Sequence, residues 1–538
     1  MKRLIYILFG VFLMLECSHK GKVSTVQPSN DTVLISDTIQ YHPVRVSRLD
    51  GSILPWFSAD KGKSFDTVLM LVWNFWKNME TDSNGLKYYM NHQVWKPQHD
   101  MRGLGGDQIN MALSSWALLY AYAGDTEVVK NMRYLADTYL ARSLSAPTDS
   151  WPFIPYPYNT DVHLGIYDGD MRNGKFITQP DKAGSFGYEL ITLYKITGNK
   201  NYLEAAKQIA GTLISKLQKG DETRSPLPFR VNARTGQPGY LTEDTRSGKL
   251  VQPALYTSNW TGTMMLLEEL KKLDSEKKVY YETAFNRILD WMKSYPLKTN
   301  KWGPFFEDVP GWSNTQTNAI TFAMFILNHR DLFPEWKKDV KSIIDWTYSE
   351  LGNHDYEKYK VVVMNEQTVY RVPGNSHSSR QGSVELMYAV LSGDTSYTKN
   401  AIRTLNWATY TVAGDGRNRY IRDDIWLTDG YGDYVRHYLR AMAAMPELAP
   451  PGRNRLLGSN SVVKYIRYLS GSITYTTYDP ESREVLRLTS RPVSVMVNGA
   501  KLSESTGSTG EGWNWEPLGT GGILRICHSS GVNVKIVL

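Results

Sequence analysis

Cysteine is scarce in this 538-residue chain: there are two, which excludes a disulfide-stapled scaffold and any zinc ribbon built on paired CxxC motifs. Long apolar runs are equally scarce. The longest, Leu4–Leu15, is about a dozen residues, shorter than the roughly 20 that span a bilayer. Recurrent catalytic signatures are missing too: no HExxH, no GxxxxGK[ST] loop, no complete GxGxxG and no GxSxG elbow occurs. The ten histidines show no metal-ligand spacing, so neither a metal nor any other cofactor is expected. Lysine and arginine are scattered, and the net charge of +7 nudges towards an acidic glycan partner and away from nucleic acid.

The chain has 41% apolar residues, enough for a sizeable core and too many for a disordered protein. Aromatics make up 12%, including 16 Trp and 34 Tyr, and such rings stack on bases, sugars or one another. Lys2 and Arg3 precede the apolar run, and Cys17 follows it. That order is the anatomy of an export signal ending at a lipoprotein-type cysteine. Residues 1–17 are therefore expected to direct export to the periplasm or outer-membrane surface of a Gram-negative bacterium, with Cys17 carrying the lipid anchor. Residues 18–60, polar and rich in Ser, Thr and Val, are expected to form a tether. Cys527, in an apolar strand-like tail, is expected to be a plain core thiol.

From residue 61 a short connector repeats: Ala123-Gly-Asp-Thr-Glu-Val128, Thr197-Gly-Asn-Lys-Asn-Tyr202 and Ser392-Gly-Asp-Thr-Ser-Tyr397. Glycine suits the left-handed residue that ends a helix, and Asp or Asn caps the next one. The helices before the connectors carry few charges, whereas those after them are amphipathic. Uncharged helices belong inside and striped ones face water. Inner helices are expected to start near Asp107, Ser185, Ser258, Ser313, Ser378 and Gly430. Five charged helices follow the first five, and Phe65–Met79 supplies a sixth outer one. The expected fold is mainly α: an (α/α)6 toroid over 61–450. After Pro450-Pro451 the pattern alternates, and 451–538 is expected to form an antiparallel β-sandwich.

Returns from outer to inner helix are long, near 81–106, 144–184, 220–257, 296–312, 353–377 and 414–429. Long ordered loops usually carry function, and all six emerge on one face of a toroid. Trp95, Trp151, Trp302 and Trp426 lie in them, with Tyr156, Tyr158, Phe305 and Phe306, and are expected to line a sugar-stacking mouth.

The combination of an export signal, a toroid and a C-terminal β-sandwich resembles the carbohydrate-active enzymes of Gram-negative glycan degraders. These include β-glucuronidases, unsaturated glucuronyl hydrolases and toroid polysaccharide lyases. Arg102-Gly-Leu-Gly105 is similar to an Arg-Gly-x-Gly segment of unsaturated glucuronyl and galacturonyl hydrolases, with Asp100 and Gly106 replacing the flanking tryptophans.

The resemblance implies an enzyme acting on a uronic-acid-containing oligo- or polysaccharide. Glycoside hydrolysis needs one carboxylic acid to protonate the leaving oxygen and a carboxylate as base or nucleophile. Acidic residues in the mouth loops or first helical turns are the candidates: Asp100, Asp107, Glu307, Asp308 and Asp429. Glu189, Glu268 and Glu385 fall within inner helices, where an acid is paired or functional. A lyase instead needs a group to neutralise the uronate and another to take its C5 proton. Tyr370-Arg-Val-Pro-Gly-Asn-Ser-His-Ser-Ser-Arg380 gathers Tyr370, His377 and Arg380 for that reaction. Arg172 and Arg230 are further candidates for holding a sugar carboxylate. A third reading is a glycan-binding surface lipoprotein without catalysis.

Overall fold

The computed structural model describes residues 31–538 except 91–105, 162–163, 171, 244–248, 307–310, 420, 422–430 and 506–509. Twelve helices form six pairs: α1 (Lys61–Lys77), α2 (Gly106–Ala123), α3 (Thr126–Ser143), α4 (Pro180–Thr197), α5 (Lys200–Ser215), α6 (Thr261–Leu273), α7 (Lys278–Ser294), α8 (Gln316–Asn328), α9 (Trp336–Leu351), α10 (Asn375–Ser392), α11 (Thr398–Ala408) and α12 (Tyr431–Ala444). Even-numbered helices are inner and odd-numbered ones outer, and neighbouring inner helices pack in the closed cycle of a toroid.

The connectors work as their chemistry dictates. Gly124, Gly198 and Gly393 take positive φ values of 69°, 74° and 81°. Asp125 Oδ1 accepts from the Glu127 N–H at 2.9 Å, and Asn199 Oδ1 from the Asn201 N–H at 3.1 Å, capping α3 and α5. Inner helices approach closely where glycine removes bulk. A Cβ on Gly184 would lie 1.9 Å from Thr263 Oγ1, so α4 and α6 could not meet there with any larger residue.

The C-terminal module is a two-sheet antiparallel sandwich. Its strands are numbered after the N-terminal β1 (Thr32–Ile39) and β2 (His42–Ser47): β3 (Arg455–Ser459), β4 (Val463–Leu469), β5 (Ser472–Thr477), β6 (Ser482–Leu488), β7 (Ser494–Val497), β8 (Ala500–Leu502), β9 (Gly512–Pro517), β10 (Gly522–His528) and β11 (Asn533–Val537). One sheet has the order β3-β6-β10-β9 and the other β4-β5-β11-β7-β8. Asn498 and Gly499, with φ of 49° and 84°, make the tight β7–β8 turn that two positive dihedrals require. Cys527 is a free, half-buried thiol on β10.

The sandwich sits under the C-terminal end of α2. The Tyr468 hydroxyl donates to the Ala121 carbonyl at 2.7 Å, and the Arg455 guanidinium reaches Asp66 Oδ1 on α1 at 3.4 Å.

The expected tether needs correction. From Thr32 the chain forms the β1–β2 hairpin, which packs on the toroid with Ile39, Val44 and Ile53 buried. The His42 ring stacks on Trp56 at 3.8 Å, the Arg45 N–H donates to the Tyr410 hydroxyl, and the Ile53 N–H donates to the Tyr359 carbonyl. A few apolar residues amid Ser and Thr suffice, because the toroid supplies the other half of their burial.

Candidate functional site

The N-terminal ends of the inner helices carry a ring of polar side chains. On α10, Arg380 and His377 sit in the first two turns; the helix starts at Asn375, three residues before the expected Ser378. Arg380 donates to Gln316 Oε1 at 2.7 Å and Thr317 Oγ1 at 2.9 Å on α8, and pairs with Asp433 on α12. Asp433 also holds Arg436 and lies 2.9 Å from His437 Nε2. His377 Nε2 meets Thr317 Oγ1 at 3.3 Å, its ring packs near Phe306, and its Nδ1 has no hydrogen-bond partner among the described residues.

Both imidazoles are held neutral. Burial pushes His377 well below the usual histidine range, and the charge of Arg380 adds to it. His437 is lowered by burial, then by Arg380, Arg436 and Arg440. The carboxylate beside it is already committed to two guanidinium groups.

On α4, Asp181 pairs with Lys182 at 3.0 Å and accepts from Asn259 Nδ2 at 2.9 Å. Lys182 Nζ also donates to the Phe305 carbonyl at 2.7 Å and lies 3.8 Å from the centre of that ring. Nearby, Asp170 Oδ2 faces Arg230 Nε at 3.3 Å and accepts from Gln179, while its other oxygen takes the backbone N–H groups of Arg172 and Asn173. Asp170, Asp181 and Asp433 are thus each engaged by a cation.

Beneath this ring, on the toroid axis, lies a cavity of about 270 Å3. Phe305, Asn259 and Thr317 bound it towards the inner-helix N-termini, Glu189, Arg436 and Arg440 line its sides, and Leu457–Val463 of the sandwich closes its floor. Burial pushes the Glu189 carboxyl up to about 8, with Arg436 and Arg440 opposing. Among the described residues no group of three or more His, Cys, Asp or Glu side chains is placed to hold a metal ion.

The expected site residues divide sharply. Trp95, Asp100, Arg102, Glu307, Asp308, Trp426 and Asp429 lie outside the described residues, as does Cys17; Asp107 falls in the first turn of α2, with its side chain likewise outside them. The aromatic mouth is corrected for the described residues. Trp151, Tyr156, Tyr158, Trp302, Phe305 and Phe306 are buried, and Trp302 packs against Phe322 and Trp346 as core. These loops fold back over the helices, so the rings fill the space between loop and helix, except that Phe305 also borders the axial cavity. Tyr370 is the one expected site aromatic in the described loops that is exposed, at 36%.

Arg230 and Arg380 are buried and spoken for by Asp170 and Asp433, so neither is a free grip for a carboxylate. Arg172 is half-buried, with its backbone in the Asp170 turn. Of the inner-helix acids, Glu268 pairs with His329 at 3.0 Å and Glu385 accepts from Gln381 at 2.9 Å. Glu189 has no ion pair or hydrogen bond among the described residues. Arg436 and Arg440 were not singled out by sequence, although two arginines one turn apart on an inner helix are a legible signal.

No family model matches the sequence, and no curated protein matches it significantly. Solved structures do match in fold. The cellobiose 2-epimerase of Spirochaeta thermophila DSM 6192 is 13% identical, with 72% of this chain and 96% of that one covered and a TM-score of 0.54. A D-mannose isomerase is 10% identical over 71% of this chain and 98% of its own, with a TM-score of 0.52. The cellobiose 2-epimerase of Bacillus thermoamylovorans B4167 is 14% identical over 70% and 97%, with a TM-score of 0.50. The chain therefore has the (α/α)6 toroid fold of these sugar-processing enzymes.

Proposed function

We propose that this protein is a carbohydrate-active enzyme, a glycoside hydrolase acting on a uronic-acid-containing glycan at the inner-helix N-termini. The observation that carries the reading is the toroid fold with polar and charged side chains gathered at that end, where Lys182, Arg230, Arg380 and Arg436 are paired with Asp181, Asp170 and Asp433. Those pairs are structural, so the preference for an acidic sugar rests on the net charge of +7, and the acid and base roles fall to the loop residues Asp100, Asp107, Glu307, Asp308 and Asp429. Export and lipid attachment at Cys17 belong to the same proposal, supported by residues 1–17; fractionation of cells making Cys17→Ala checks it, with release from the membrane expected.

One observation favours a second reading, proton transfer at a sugar carbon by elimination or epimerisation. His377 is neutral, and its Nδ1 has no hydrogen-bond partner among the described residues, so the ring offers a free nitrogen for a proton once a bound acidic sugar offsets the charge of Arg380. A cellobiose 2-epimerase and a D-mannose isomerase share the fold. Incubation with acidic oligosaccharides in deuterated water separates the readings. Hydrolysis yields new reducing ends with no ultraviolet-absorbing product, elimination yields an unsaturated uronate that absorbs, and epimerisation yields carbon-bound deuterium without cleavage. Absence of new reducing ends overturns the hydrolase reading.

A further inference from the structure

Two charged side chains lining the axial cavity make no hydrogen bond or ion pair among the described residues and feel each other only through the field of their charges, although ions taken out of water are ordinarily paired. Glu189 on α4 is 7% exposed and makes no hydrogen bond or ion pair among the described residues. Arg440 on α12, lining the same cavity, is equally without a described partner. Asn110 and Ser114 on α2 and Thr321 on α8 also line it, with no side-chain hydrogen bond elsewhere among the described residues. Five polar side chains from four inner helices therefore face one space. Met111, Met265 and Phe305 supply apolar wall.

We propose that this cavity is a binding site for a single monosaccharide acid, its carboxylate held by Arg440 and its hydroxyls by Asn110, Ser114 and Thr321. A guanidinium pairs with a carboxylate through two parallel hydrogen bonds, and here it supplies the missing counter-charge. The volume of about 270 Å3 lies just below the roughly 300–1,000 Å3 of drug-sized pockets, which suits one sugar ring and not a chain. Hydroxyl and amide groups opposite apolar wall match the two faces of a sugar, whereas a simple inorganic anion would leave them idle.

The protonation state supports the charge argument. The titratable side chains of the lining are Tyr188 and Glu189 on α4 and Arg436 and Arg440 on α12; those contributed by α2, α6, α8 and the floor carry none. With its carboxyl pushed up to about 8, Glu189 is mostly neutral at pH 7, and Arg440 then stands uncompensated. Above that pH the Glu189 carboxylate competes with the ligand for Arg440.

The site is independent of which reaction the helix ends perform, because it is read by binding and not by turnover. The experiment titrates the full chain with glucuronate, and with glucose and acetate as controls, by calorimetry and thermal melting. Glucuronate is expected to bind and to raise the melting temperature at pH 7, at least tenfold more tightly than either control, and to weaken above pH 8. Arg440→Met is expected to lose at least tenfold in affinity while melting no lower than the parent, since it removes a half-buried cation that makes no hydrogen bond or ion pair among the described residues. Glu189→Gln is expected to bind at pH 7 and to shift the weakening to higher pH, where only the Arg440 guanidinium, itself lowered to about 9 by burial, limits binding. No glucuronate binding, equal binding of acetate or glucose, unchanged affinity in Arg440→Met, or a lower melting temperature for that variant without ligand overturns the proposal.

Discussion

The ring of charges at the inner-helix N-termini and the cavity below it use the same residue types to opposite ends. In the ring, Asp181 meets Lys182 at 3.0 Å, Asp170 meets Arg230 at 3.3 Å, and Asp433 is shared by Arg380 and Arg436. In the cavity, Glu189 and Arg440 form no hydrogen bond or ion pair among the described residues. Satisfied pairs tie one inner helix to the next, as Arg380 ties α10 to α8 and α12. Unsatisfied ones do no such tying and cost stability, which is the price a binding site carries until its ligand arrives.

The sharpest way to break this contrast is Asp433→Ala. It strands Arg380 in the core, and loss of one member of a buried ion pair costs about 3–5 kcal/mol. Urea denaturation is expected to show that loss or outright failure to fold; a change of well under 1 kcal/mol would mean that the ring is not structural. Lys182→Met comes next. Asn259 still donates to Asp181, so the expected cost is smaller, about 2–3 kcal/mol by the same measurement.

The third test, smallest per pH unit though it accumulates across the window, addresses the unpaired class away from the cavity. Glu385 on α10 is fully buried, accepts from Gln381, and has its carboxyl pushed up to about 8 by that burial. The unfolded chain ionises it near the ordinary 4.5, so between roughly pH 4.5 and 8 the folded form holds the proton and the unfolded form does not. Its share of stability therefore falls as pH rises through that window, by up to about 1.4 kcal/mol per pH unit, and levels off above it. Glu385→Gln is expected to flatten the decline in melting temperature between pH 5 and 8, without altering glucuronate binding.

Much of the toroid was legible because it repeats. The Gly-Asp and Gly-Asn connectors end one helix and cap the next, so helix pairing follows from local chemistry, and the contrast in charge separates inner from outer. The start of α10 was misplaced because Asn375, Ser376 and Ser378 all suit a cap, yet Gly374 takes that position without a side-chain cap bond. The loop tryptophans misled for a related reason. Trp151 and Trp302 stand in polar loops, but whether a ring faces solvent depends on which helix the loop folds against. The hairpin at Thr32–Ser47 is not legible in the sequence because what anchors it lies more than 300 positions away, as where the Arg45 N–H meets the Tyr410 hydroxyl.

Sequence alone determined the number and pairing of helices, the split into a helical and a strand module, and the acids and bases available for chemistry. These follow from periodicity, capping and composition, all local properties. Tertiary structure alone decided which charges are paired. Arg380 and Asp433 are 53 positions apart and touch, whereas Glu189 and Arg440, on α4 and α12, share a cavity without a described partner. Ion pairing depends on a few ångströms of separation and on burial, and both are set only when the ring of helices closes.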